Sequence, residues 1–178
     1  MKAVAQEVLQ KAHGVRLMIF DVDGVLTDGT LWYGARGEAL KAFSAHDGHG
    51  IKLLAASGVP CAILSGRRSP AVAVRARELG IKRVFQGVDD KLSVFQKILK
   101  KENLKPEAAG FMGDELIDLP VLVRCGFACA PLEAPEAVRA RVHYVTTARA
   151  GRGAVREACE LIMRAQGTLD AVLRSALA

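Results

Sequence analysis

VRLMIFDVDGVLTDG, residues 15–29, sets an uninterrupted apolar run directly before two aspartates, Asp21 and Asp23, separated by a single valine. A run that is apolar at every position fits a strand covered on both faces, the habit of parallel sheets. Two carboxylates where such a strand ends are unfavourable to bury unpaired, so something must compensate them. About 4 Å apart they repel by roughly 1 kcal/mol in water and roughly 4 kcal/mol at an effective dielectric of 20. A bound cation is the leading candidate, and Val22 is expected to point into the fold.

The pattern continues outward from this stretch. Short apolar runs at 59–64, 81–85, 108–112, 126–130 and 143–147 alternate with helical patterns near 49–57, 70–79, 90–103, 117–124 and 135–141, with a longer helix from about 154 to 176. This alternation predicts an α/β fold, a Rossmann-like parallel sheet flanked by helices. Ser69-Pro70 and Asp89-Asp90 read as helix starts and Gly80 as a helix end. One stretch breaks the rhythm. GTLWYGARGEALKAFS, 29–44, reads as two short strands, TLWYG and ALKAFS, about a turn containing Gly37. The hairpin should project from the carboxyl end of the first core strand, where open α/β sheets bind ligands. Its Leu31, Trp32 and Tyr33 would expose apolar surface unless a second copy covers them, so self-association is expected.

The totals bound the rest. The 178 residues suffice for a core without disulfides, and 1–178 reads as a single domain with a tail from about 148. Cys61, Cys125, Cys129 and Cys159 form no CxxC and read as buried thiols. The net charge of +6 is spread thinly, without a run of five or more like charges, and an anionic small substrate explains it as well as nucleic acid does; nucleic-acid binding is not expected. No apolar run reaches the roughly 18 residues of a membrane span, and the start MKAVAQEVLQKAHG is polar and helix-like, so a cytoplasmic location is expected.

Polar residues just after each core strand should converge at one sheet edge. After the first strand come Asp21 and Asp23. After the second come Ser65, Gly66 and Arg67, and after the fourth Gly113, Asp114, Glu115 and Asp118. Lys91 follows the third strand at a helix start, where a lysine is electrostatically disfavoured without a partner. Hard oxygen ligands and the absence of soft ones point to magnesium, with Ser65 and Lys91 as phosphate ligands opposite it. A carboxylate can attack phosphorus, which splits a hard hydrolysis into two displacements. Asp21 would be the nucleophile, and Asp23 the proton donor to the leaving oxygen and then the base for water.

The DVDGVLTDG, SGR, Lys91 and GDELID motifs, in that order, resemble the haloacid dehalogenase superfamily of phosphatases. More narrowly, the hairpin, the AHDGHGIKLL loop at 45–54 and the tail GRGAVREACELIMRAQG at 151–167 look like the 3-deoxy-D-manno-octulosonate 8-phosphate (Kdo 8-phosphate) phosphatases of lipopolysaccharide precursor synthesis. The resemblance implies magnesium held by Asp21, the backbone carbonyl of Asp23, and Asp114. Ser65, Gly66 and Lys91 would bind the phosphoryl group; Arg67, Asp47, Arg149 and Arg152 would contact the sugar acid. It also implies a small phosphatase without a large cap domain, and a homotetramer whose hairpins form a central barrel and whose sites are completed by a neighbour, with the tail folding over the site. Gly151 and Gly153 suggest a mobile segment that brings an arginine to the substrate. One departure is Glu115, where the family carries a second aspartate; Glu115 and Asp118 are placed behind the ligand set.

Other readings have weight. His46 and His49 are spaced as a metal pair could be, though the glycines of their loop and the resemblance favour substrate contact or plain structure. A phosphoacceptor receiver module uses similar groups, but there the phosphorylated aspartate ends the third strand, where this chain has Gln86-Gly87. A non-catalytic phosphatase-like oligomerisation domain would not need the complete polar set. The motifs read the phosphate rather than the sugar, so a nine-carbon ulosonate phosphate remains an alternative substrate.

Overall fold

The computed structural model describes residues 4–35 and 37–177. Six strands form one sheet: β1 (Leu17–Phe20), β4 (Cys61–Ser65), β5 (Arg83–Gln86), β6 (Ala109–Met112), β7 (Phe127–Ala130) and β8 (Tyr144–Val145). Their order is β5-β4-β1-β6-β7-β8 and every pairing is parallel. From β1 the chain builds outward through β4 and β5 on one side, then crosses back to β6, β7 and β8 on the other. That reversal opens a crevice at the carboxyl end of β1, the place where such sheets bind ligands.

The alternation of side chains along a strand splits β1 between two cores. Met18 and Phe20 join Ile51, Leu54, Val72, Val155 and Ile162 on one face. Leu17 and Ile19 join Phe95, Ile98, Phe111, Val121 and Val138 on the other. The first face is covered by α1 (Gln6–His13), α2 (Ala45–Ala56), α3 (Pro70–Glu78) and α7 (Ala154–Ala165). The second is covered by α4 (Lys91–Glu102), α5 (Leu119–Leu122) and α6 (Glu136–Arg139). Burying each large side chain contributes roughly 1.5–3 kcal/mol, so both layers pin β1 and the aspartates at its end. Among the described residues no helix is long and apolar enough to cross a membrane. The four cysteines are free and buried, and burial pushes the Cys61 thiol up to about 12.

Three boundaries differ from the sequence reading. AHDGHG is not a loop: α2 begins at Ala45, with the Ser44 side chain accepting from the Asp47 amide at 3.2 Å. Its glycines serve packing, since a Cβ on Gly50 would lie 2.9 Å from Arg156 Cα. The final helix is two, α7 and α8 (Leu169–Leu177), separated at Gly167, whose φ of +71° is left-handed. Both hairpin strands are shorter, and the second lies earlier than expected: β2 (Trp32–Gly34) and β3 (Gly37–Leu40), with Trp32 opposite Leu40 and Tyr33 opposite Glu38. Arg36, within the expected turn, lies outside the described residues. Trp32, Tyr33 and Leu40 are 55%, 63% and 66% exposed, so the hairpin presents apolar surface outward.

Candidate active site

The residues that follow the four core strands meet at the carboxyl end of β1, in a cleft of about 410 Å³ lined by Asp21, Asp23, Ser65, Lys91 and Asp114, among others. Val22 is fully buried and accepts from the Val25 and Thr27 amides, so the chain turns sharply and leaves Asp21 and Asp23 toward the cleft. Gly24 permits this turn with a φ of +76°, and a Cβ there would lie 2.0 Å from Asp114 Oδ2. The second strand brings up Ser65, which is buried, its Oγ accepting from the Arg67 amide at 3.3 Å.

Lys91 is buried at the first turn of α4 with its ammonium 2.7 Å from Asp21 Oδ2 and 2.6 Å from Asp118 Oδ1. Burial works against this charge, but the two carboxylates outweigh it and raise Lys91 above its ordinary range. Asp118 is fully buried and its other oxygen accepts from the Asp114 and Glu115 amides at 3.1 Å each. It therefore organises the loop that presents Asp114. Carboxylate oxygens of Asp21, Asp114 and Asp118 lie within 4.8 Å of one another. Burial first, then the neighbouring carboxylates, hold Asp114 up at about 8; burial and Asp118, opposed by Lys91, hold Asp21 up at about 6.

Asp114 Oδ1 is buried without a hydrogen-bond partner. An orphaned carboxylate oxygen beside a second carboxylate is what a cation site requires. Asp118 accepts from Lys91 and two amides and Asp21 from Lys91 and the Val22 amide, so within the cluster Asp114 Oδ1 is the buried oxygen without a donor.

The chain is 44% identical over 167 residues to 3-deoxy-D-manno-octulosonate 8-phosphate phosphatase KdsC of Yersinia pestis, a match covering 94% of this chain and 89% of that protein. It belongs to the Kdo 8-phosphate phosphatase family. This family of phosphoric monoester hydrolases falls within the haloacid dehalogenase superfamily. A probable YrbI family phosphatase from Pseudomonas syringae superposes with a TM-score of 0.96 at 46% identity, covering 98% of this chain and 99% of that one. The Kdo 8-phosphate phosphatase from Moraxella catarrhalis, solved with magnesium ion, phosphate ion and Kdo, superposes at 0.92 with 41% identity, covering 95% and 97%. No protein-family model matches the chain.

Beside the carboxylate cluster Asp23 and Arg67 join a network with Lys41 and Glu38, which were not singled out in the sequence. The Lys41 ammonium, buried just after β3, pairs with Asp23 Oδ1 and sits 3.0 Å from Glu38. Arg67 reaches Glu38 at 3.2 Å, the Tyr33 hydroxyl at 2.8 Å and Asp23 Oδ2 at 3.6 Å. The hairpin thus holds Asp23 directly through Lys41, and through Glu38 and Tyr33 it fixes Arg67, which follows β4, at ion-pair distance from the other Asp23 oxygen. The available signal was the pair Glu38 and Lys41 on a hairpin expected to project from this strand end.

Some expected contacts are not found. Glu115 lines the cleft, but its Oε1 accepts from the Leu116 amide at 2.7 Å within its own turn. Asp47 does not face the site: it is buried against α7 and accepts from the Gly153 amide at 3.1 Å and the Arg156 amide at 2.8 Å. Its place inside α2 rather than in a loop turns it toward α7. His46 and His49 are exposed and join no candidate metal cluster among the described residues. Arg149 and Arg152 are exposed and line a second cleft of about 510 Å³ that shares Gly24, Gly29, Asp114 and Glu115 with the first. The segment bearing them is bonded to the rest of the same chain, the Ala150 amide to Glu133 and the Gly151 amide to the Val25 carbonyl, and Gly151 answers to contact rather than mobility: a Cβ there would lie 2.7 Å from the Asp28 amide nitrogen.

Proposed function

We propose that the chain is a magnesium-dependent phosphatase that hydrolyses Kdo 8-phosphate to Kdo and phosphate, acting as a single-domain cytoplasmic enzyme in lipopolysaccharide precursor synthesis. The observation that carries this reading is the convergence of Asp21, Asp114, Asp118 and Lys91 in one cleft, with an Asp114 oxygen left orphaned. It is supported by the Moraxella catarrhalis relative, whose structure holds magnesium, phosphate and Kdo.

Asp21, Asp114 and the backbone carbonyl of Asp23 would hold the metal. When bound, magnesium neutralises the carboxylate cluster and offsets charge on the phosphoryl oxygens. Ser65, the Gly66 backbone and Lys91 bind those oxygens from the other side. An Asp21 oxygen attacks phosphorus as the bond to the sugar oxygen breaks, and Asp23 gives that oxygen a proton. Asp23 then takes a proton from water, which attacks phosphorus, frees phosphate and restores the Asp21 carboxylate. Lys41 and Arg67, on either side of Asp23, keep its carboxylate aimed at the leaving oxygen. Arg67, Arg149 and Arg152 recognise the anionic sugar acid.

The exposed Trp32, Tyr33 and Leu40 are best covered by other copies, as a homotetramer with sites near subunit interfaces would do. The deciding experiment measures phosphate release from Kdo 8-phosphate and from a nine-carbon ulosonate phosphate, each with magnesium and with chelator. Magnesium-dependent turnover that favours the eight-carbon substrate is expected. A preference for nine carbons would reassign the substrate, and no release from either would leave a non-catalytic domain.

A further inference from the structure

The segment Ala148–Gly153 carries Arg149 and Arg152 between β8 and α7, and it is tied down along its length. At its start, Glu157 of α7 accepts from the Thr147 amide at 2.9 Å and the Ala148 amide at 2.8 Å. In its middle, the Ala150 amide donates to Glu133 at 3.3 Å and the Gly151 amide to the Val25 carbonyl at 3.1 Å. At its end, the two oxygens of Asp47 accept from the Gly153 and Arg156 amides.

Asp47 is the unusual member of this set. The first amides of a helix are ordinarily capped by the side chain of the N-cap residue itself. Here the N-cap is Gly153, whose φ of +111° suits glycine and which has no side chain to offer. The acceptor instead comes from α2, 106 residues away in the chain. A local cap would travel with the segment, whereas this one locks the start of α7 to α2. Gly50 allows the two helices to approach closely enough for that bond. Gly151 in turn presses the segment onto Thr27 and Asp28, in the loop that leaves the Asp21 turn.

We infer that Asp47 is a positioning residue for substrate recognition, setting where Arg149 and Arg152 stand relative to Asp21. This rests on the reading that those arginines meet the sugar acid. Asp47 touches no reacting atom; it acts through the α7 start and the segment before it. A cap serving stability alone would affect every substrate equally, whereas a positioning role falls on the substrate with a carboxylate to place.

The test uses the full chain with Asp47→Asn, which keeps the shape and removes one of the two acceptor oxygens. KM and kcat are measured on Kdo 8-phosphate and on an aryl phosphate, together with amide hydrogen exchange across residues 148–156. We expect exchange there to quicken, KM for the sugar-acid phosphate to rise about tenfold, and KM for the aryl phosphate to stay within about twofold. Equal losses on both substrates, or an unchanged KM for the sugar-acid phosphate, would overturn the inference. Glu157→Gln loosens the other end of the segment and should give the same split, which keeps the test available should Asp47→Asn fold poorly. A parallel Arg149→Ala, Arg152→Ala variant separates the two claims. If it leaves the sugar-acid KM unmoved, the arginines do not meet substrate and the underlying reading fails; if it raises KM while Asp47→Asn does not, only the positioning role fails.

Discussion

The Lys91 ammonium stands 2.7 Å from Asp21 Oδ2, and both groups are buried. One cation thereby restrains Asp21 and its neighbour Asp118, while the other Asp21 oxygen accepts from the Val22 amide at 2.7 Å. Removing it would leave two carboxylates facing each other in a dry site. Lys91→Met should lower phosphate release by at least about 10²-fold. It should also destabilise the metal-free chain by about 3–5 kcal/mol, the usual effect of deleting one partner of a buried pair. Phosphate release and denaturant unfolding in chelator read the two effects, and activity close to wild type would remove Lys91 from the site's chemistry.

Protons and metal should compete for the same oxygens. In the folded chain Asp114 is held up at about 8 and Asp21 at about 6, against an ordinary 3.8 for each. Between those values the folded state binds more protons than the unfolded state, so this pair's contribution to stability falls as pH rises. Thermal unfolding in chelator should show Tm declining from about pH 6 to about pH 8.5, with magnesium removing most of the decline. A Tm that rises with pH in chelator would show that the carboxylates are not strained in this way.

Gly24 and Asp114 are in contact that admits no side chain. Gly24→Ala places a Cβ 2.0 Å from Asp114 Oδ2 at a φ of +76°, so Asp114 must move. The half-saturating magnesium concentration should rise by about 10–100-fold, the scale seen when a ligand's supporting contacts are lost. Magnesium titration of activity checks this, with circular dichroism confirming the fold. An unaltered requirement would mean that Asp114 is not a ligand.

Trp32 faces Leu40 across the hairpin, and both are more than half exposed. If other copies cover this pair, Trp32→Glu with Leu40→Glu should shift the protein from tetramer to a smaller species by sizing with light scattering. Should the wild-type chain already be a monomer, the hairpin's apolar surface has another partner.

The sequence by itself determined the parallel sheet, the order of its polar strand ends and the identity of the charged residues brought together. An apolar run such as LMIF, repeated in alternation with helical patterns, fits a strand buried on both faces, and the chain turns where Asp21 follows. The grouping of Asp21, Ser65, Lys91 and Asp114 was legible for that reason, because parallel strands deliver their carboxyl ends to one edge. Partnerships among charges were not. Asp47 and Asp23 look alike in sequence, each two residues from a charged or polar neighbour and each followed by glycine. Only tertiary packing turns Asp47 inward to cap α7 and sets Asp23 between Lys41 and Arg67. A hydrogen bond of 3 Å depends on helix register and on glycines such as Gly50 and Gly151, whose missing side chains leave room that a one-dimensional pattern cannot record.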